Sequence, residues 1–173
     1  MVSRIRFAAV IVPVLVAMTG SLQAQAPAGG RGYPTGDWPS VSGNWSSSRH
    51  SLLDDITTDT VNQLGGAWVT RLADGAASRA TPVVLDGVLY LTGGANVFAI
   101  DARTGDSLWR WQPNDSDGGA RMVPSWQGVG LGHGLVFVGL RNGQLAALDR
   151  DTGELVWVQS VGADPPQAGE SVT

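Results

Sequence analysis

Side chains suited to acid–base, nucleophilic or metal chemistry are thinly spread along these 173 residues. There is no cysteine, and the two histidines, His50 and His133, do not have the spacing of a ligand pair. His133 stands between Gly132 and Gly134 and reads as a solvated hairpin turn. Asp54-Asp55 precedes a segment with helix-starting threonines, and attraction to a helix N-terminus accounts for the pair without a metal. Asp115 and Asp117 lie in a polar connection and could touch a cation, although a solvated loop is the plainer reading. No catalytic constellation is visible, so the chemistry of this chain depends on what its framework positions.

That framework is a repeat. Ala99-Ile-Asp-Ala-Arg-Thr-Gly-Asp-Ser-Leu-Trp109 returns as Ala147-Leu-Asp-Arg-Asp-Thr-Gly-Glu-Leu-Val-Trp157, with Asp101 and Asp149 48 residues apart. A period of this size, with strands and turn signals, marks a propeller blade. Asp101 ends one strand and can accept hydrogen bonds from N–H groups of the turn that follows. Gly105 can take the positive φ that closes the turn. The next strand then brings out Trp109, a ring large enough to bury apolar area between neighbouring blades. Ala99 and Ala147 are small where backbone must pass close by. Trp109, Trp111, Trp126 and Trp157 therefore read first as packing residues.

Composition agrees with an all-β chain. Glycine is abundant at 24 residues and tryptophan high at 7, and short apolar runs alternate with glycine-rich turns. All basic charge is arginine, and the net charge of −4 excludes a nucleic-acid-binding surface as the leading idea. A closed propeller needs more blades than this length supplies, so the chain reads as the amino-terminal part of a longer protein.

Taken in order, residues 1–24 read as a secretory signal: Arg4 and Arg6, an apolar run from Phe7 to Met18, then Ala24-Gln-Ala26 as a cleavage site, with Ala24 an equal candidate. The run is too short for a stable membrane span. Export places the protein in the periplasm or outside the cell, where, lacking cysteine, it owes nothing to disulfides. Residues 25–36 form a Pro/Gly linker and residues 37–173 the propeller part. Thr57 or Thr58 caps a short helix through Val61 and Leu64, stopped by Gly65-Gly66, and 67–72 is a strand. The first blade spans about 81–111, with strands at 81–85, 88–91, 96–100 and 107–111 around an Asp86-Gly87 hairpin turn. The second spans about 128–158, with strands at 128–131, 135–138, 144–148 and 155–158. Between them, 112–125 is a long polar connection.

The repeated eleven-residue pattern resembles the tryptophan-docking motif of the pyrroloquinoline quinone (PQQ) dehydrogenases. The resemblance implies a β-propeller of the eight-bladed quinoprotein type, of which this chain holds the first two blades and a lead-in segment. That segment, Asp37-Trp-Pro-Ser-Val-Ser-Gly-Asn-Trp-Ser-Ser-Ser-Arg-His-Ser-Leu-Leu-Asp-Asp-Ile56, is similar to the opening of the PQQ alcohol dehydrogenases. There an Asp-Trp-Pro run leads to a glycine-rich stretch, an arginine-aromatic-serine, a leucine and an isoleucine. His50 stands where the family has tyrosine and reads as its packing substitute.

The resemblance also implies where a quinone would be held. A family glutamate three residues before the first-blade proline is matched by Arg79, in Arg-Ala-Thr-Pro82. A second-blade arginine before Gly-Val is matched by Trp126 or Gln127, and a third-blade threonine by Thr173. Arg79, Gln127 and Thr173 are thus the cofactor-binding candidates, and Arg79 could pair with a carboxylate of the quinone as a replacement contact. The family's calcium ligands and catalytic aspartate come from later blades, and its vicinal cysteine pair is missing here. A haem c would need a Cys-x-x-Cys-His, which is not present.

The expected function is an exported dehydrogenase that oxidises an alcohol or sugar with PQQ and calcium and passes electrons to a periplasmic acceptor. The chain by itself is expected to be inactive. The alternative is a non-enzymatic propeller of the same fold, a binding or assembly scaffold. The changes at Arg79 and Trp126-Gln127 favour it, and the match over 37–72 favours the enzyme.

Overall fold

A computed structural model describes residues 36–44, 46–72, 78–113, 124, 127–141 and 143–161. The signal 1–24, most of the linker, Asp115, Asp117, Trp126 and Thr173 lie outside the described residues.

Among the described residues, eight strands make two four-stranded antiparallel meanders. The first is β1 (Val83–Leu85), β2 (Val88–Gly93), β3 (Asn96–Asp101) and β4 (Ser107–Trp111), in that spatial order. The second is β5 (Gly130–Gly132), β6 (Leu135–Gly139), β7 (Gln144–Asp149) and β8 (Leu155–Ser160). The β1–β2 turn has positive φ at both Asp86 (53°) and Gly87 (76°), and the β5–β6 turn at His133 (50°) and Gly134 (74°). Two positive φ values match the right-handed twist of the flanking strands. β1 begins at Val83 and not at Thr81, because Pro82 has no N–H to give to a ladder.

The two sheets share their irregularities as well as their order. Pairing slips between Ala99 and Ile100 in the first sheet and between Ala147 and Leu148 in the second. Just before each slip, an alanine sits between two aromatic residues of adjacent strands: Tyr90–Ala99–Trp109 and Phe137–Ala147–Trp157. The ring centroids in each pair are 6.0 Å apart. Both alanines are fully buried, so the small side chain lets two rings close over the middle strand.

The core lies between the sheets. Val83, Tyr90, Val97, Ala99 and Trp111 of the first pack against Val129, Val136, Val138, Leu140, Ala146 and Leu148 around the second. Each fully buried aliphatic side chain contributes about 1.5–3 kcal/mol relative to exposure. A second cluster, Leu91, Phe98 and Ile100, forms on the other face of the first sheet under Trp68 and Leu72.

Three expectations are corrected. The helix after Thr57 is only a single 3₁₀ turn, Val61–Gln63, with Thr60 at its N-cap and no side-chain cap. Thr57 and Thr60 spend their hydroxyls locally: Thr57 Oγ1 accepts the Asp59 N–H, and Thr60 Oγ1 accepts the Thr57 N–H and donates to the Asp55 carbonyl. So short a turn has no dipole to attract Asp54-Asp55, and both stay exposed. Residues 67–72 form no strand, because no described residue pairs with them. Trp157 is 38% exposed, with Phe137 on one side and no described residue in the role that Gly153 plays for Trp109.

Candidate functional site

The docking loops come first, because they set how the sheets stand together. Asp101 Oδ1 accepts the N–H groups of Arg103 (2.8 Å) and Thr104 (3.0 Å). Asp149 Oδ1 accepts those of Asp151 (3.0 Å) and Thr152 (2.9 Å), and the Thr152 hydroxyl besides. These N–H groups favour the ionised form and hold both carboxyls below the ordinary value, chiefly through Arg103 in the first loop and Thr152 in the second. Each loop closes on a glycine of positive φ, Gly105 at 80° and Gly153 at 74°.

Each of these glycines lies under a tryptophan. A Cβ on Gly153 would fall 2.6 Å from Trp109 Cδ2, and Trp109 Nε1 donates to the Arg150 carbonyl at 2.9 Å. A Cβ on Gly105 would fall 2.6 Å from Trp68 Cε3, and Trp68 Nε1 donates to the Ala102 carbonyl at 3.0 Å. Trp68 thus docks on the first sheet as Trp109 docks on the second, and Thr70 adds a hydroxyl bond to the Gly105 carbonyl. Sequence reasoning missed this role for Trp68. The available signal was its place 41 residues ahead of Trp109, seven short of the 48-residue repeat.

The docked sheets bring together the approaches to their first strands. Arg79 and Gln127 are both exposed, and each precedes the strand start of its sheet. Gly128, at φ +104°, is the contact point: a Cβ there would lie 3.2 Å from the Thr81 carbonyl oxygen and 3.7 Å from the Ala80 Cβ. The residues that follow Arg79 therefore abut the residue that follows Gln127. Thr173 and Trp126 lie outside the described residues, so of the expected contacts the structure places Arg79 and Gln127 on neighbouring segments.

Ser78 fixes the Arg79 segment. Its hydroxyl donates to the Thr92 carbonyl at the end of β2 (2.5 Å) and accepts the Ala80 N–H (3.1 Å). At the same end of the sheet, Thr92 Oγ1 and Asn96 Oδ1 are buried without a hydrogen-bond partner among the described residues. Such atoms ordinarily find a partner, so this end has unmet capacity to bind a polar group.

At the hairpin-turn end, a groove of about 440 Å³ runs between Pro39–Val41 and β5, with His133 and Arg150 on its rim. Arg150 is committed to Asp86 across the sheets at 3.0 Å. Asp37 holds the same turn by accepting the Asp86 N–H, and Trp38 pairs with Val84 on the edge of β1. His50 and His133 are both exposed. Among the described residues no three His, Cys, Asp or Glu side chains cluster as metal ligands would.

The family model for the PQQ glucose/ethanol/alcohol dehydrogenase β-propeller domain matches residues 38–165. The chain is 39% identical over 130 residues to the quinohemoprotein alcohol dehydrogenase of Comamonas testosteroni, covering 73% of this chain and 18% of that protein. It is 35% identical over 167 residues to the quinohemoprotein alcohol dehydrogenase ADH-IIG of Pseudomonas putida, covering 90% of this chain and 23% of that protein. The crystal structure of the Comamonas testosteroni enzyme aligns with a TM-score of 0.63 at 40% identity, over 72% of this chain and 19% of that one. The chain therefore spans about a fifth of the length of the curated relatives it matches.

Proposed function

This chain belongs to the family of PQQ-dependent glucose/ethanol/alcohol dehydrogenase β-propellers, and on that premise we propose that the protein built around it oxidises an alcohol. The observation that carries this reading is the 39% identity with an alcohol dehydrogenase, sustained over 130 residues. A sugar substrate is the runner-up.

In this reading the Arg79–Gln127 end of the two sheets is one edge of the cofactor site. PQQ, when bound, supplies a hydride acceptor, and a metal ion such as calcium polarises it. The residues here fit an anionic, oxygen-rich ring: a guanidinium and an amide on abutting segments, with the Thr92 hydroxyl, a donor without a partner among the described residues, buried at the same end. Arg79 offers a fork of donors to a carboxylate, in place of the glutamate that the family resemblance would put there. Gln127 offers an amide N–H and carbonyl, and Thr173 a hydroxyl from the segment that follows. The catalytic base and the metal ligands belong to further blades, and haem c, where present, to a further domain. Residues 1–24 direct export, and the electrons pass to a periplasmic acceptor. No helix among the described residues is long and apolar enough to cross a membrane.

The test is a dye-linked oxidation assay on the complete protein, with primary alcohols and aldoses, with and without PQQ and calcium. Turnover of alcohols that depends on PQQ supports the proposal. Turnover of aldoses alone selects the runner-up. A folded protein that neither binds PQQ nor turns over is the binding scaffold, the reading that the arginine at position 79 would then favour. The 173-residue chain assayed alone gives no turnover, because a propeller site draws on most of its blades.

A further inference from the structure

Arg79 lies between the two residues that one hydroxyl ties together. Ser78 Oγ accepts the Ala80 N–H at 3.1 Å and donates to the Thr92 carbonyl at 2.5 Å. The first bond closes a tight serine turn across Arg79, and the second pins that turn to the end of β2. Ala80 is also the residue whose Cβ faces Gly128 of the second sheet, at 3.7 Å from where a Cβ would stand there. The backbone on both sides of Arg79 is thus fixed, by the hydroxyl and by the sheet interface. A long side chain on a fixed backbone loses less freedom when it binds an anion, and that preorganisation raises affinity.

We propose that Ser78 is a positioning residue, which holds the Arg79 guanidinium where it meets a carboxylate of the bound cofactor. The proposal rests on the reading of Arg79 as a cofactor contact. Ser78 itself touches no cofactor in it. Its hydroxyl acts through the backbone of residues 78–80 and through Thr92.

The experiment is a titration of the complete apoprotein with PQQ and calcium, followed by quenching of tryptophan fluorescence, for the parent, Ser78→Ala, Ser78→Thr, Arg79→Ala and the double variant Ser78→Ala/Arg79→Ala. Circular dichroism and the thermal midpoint establish that each is folded. Ser78→Ala is expected to weaken PQQ binding about five- to tenfold, the weight of one or two hydrogen bonds. Ser78→Thr, which keeps the hydroxyl, restores most of the loss. The double variant binds no more weakly than Arg79→Ala alone, because Ser78 has nothing left to position. Additive losses overturn the proposal, since Ser78 would then act independently of Arg79. Unchanged binding in Ser78→Ala while Arg79→Ala binds weakly also overturns it, and leaves the Arg79 contact standing. Unchanged binding in Arg79→Ala removes that contact and the proposal with it.

Discussion

The face of the Trp109 indole lies directly on Gly153, with 2.6 Å between Trp109 Cδ2 and the place a Cβ would occupy. The indole N–H completes the contact at the Arg150 carbonyl. Gly153 is therefore required twice, once for its φ of +74° and once for the space beneath the ring.

Gly153→Ala should destabilise the protein well beyond backbone strain alone. Gly134 has the same φ of +74° but nothing within 4 Å of its Cβ position, so Gly134→Ala isolates the strain. Gly134→Ala is expected to cost about 1–2 kcal/mol. Gly153→Ala adds the displaced ring, for a total of about 3–5 kcal/mol. Urea unfolding midpoints of the two variants test the difference, and equal shifts would refute the docking contact as the cause.

The three tryptophans should separate by exposure. Trp68 and Trp109 each lie on a docking glycine, whereas Trp157 is 38% exposed. In this chain Trp109→Ala and Trp68→Ala should cost about 3–5 kcal/mol each, and Trp157→Ala clearly less. Thermal midpoints measured on the 173-residue chain check the order. In the complete protein Trp157→Ala should rise toward the other two.

The aspartates of the docking loops should shape the acid limb of stability. Asp101 and Asp149 both have pKa values depressed below the ordinary 3.8 by backbone N–H groups of their own turns. A depressed folded-state pKa stabilises the fold above the unfolded value, and that contribution is lost as the pH falls through the folded value. Stability should thus decline as the pH drops below about 4. In Asp101→Asn/Asp149→Asn, which keeps the acceptor oxygens, the decline should be shallower. Denaturant midpoints between about pH 5 and pH 2 provide the comparison.

The ion pair between Arg150 and Asp86 joins the second docking loop to the first hairpin turn at 3.0 Å, with Asp86 63% and Arg150 28% exposed. So open a pair contributes little, about 0–1 kcal/mol. Asp86→Asn keeps a residue that tolerates the positive φ and removes only the charge. It should lower stability slightly at low salt and not at all in about 1 M NaCl, where the screening length is about 3 Å. A loss that persists at high salt would point to the turn and its bond to Asp37 instead.

The lead-in segment shows where sequence reasoning stops. Ala67–Leu72 has the residues of a strand, yet a strand is a pairing, and no described residue pairs with it. The useful residues were Trp68 and Thr70, which act through side chains on a loop 34 and 35 positions away. Thr57 has the chemistry of a cap, but its hydroxyl and that of Thr60, the residue found at the N-cap, are satisfied by one another and by nearby backbone before a helix can grow. Ser78 carries no motif at all, and its partner carbonyl on Thr92 becomes visible only once β2 is in place.

The sequence by itself determined the two sheets and their turns. Asp-x-x-Thr-Gly closes its hydrogen bonds within five residues, and short apolar runs between glycine-rich turns mark the strands, so both are legible along the chain. Tertiary structure alone decided which ring covers which glycine, that Trp157 stays partly bare, and that the Arg79 and Gln127 segments abut at Gly128. Those outcomes depend on how one sheet stacks on the next. Stacking is set by shape and buried area summed over many side chains, and no local pattern encodes it.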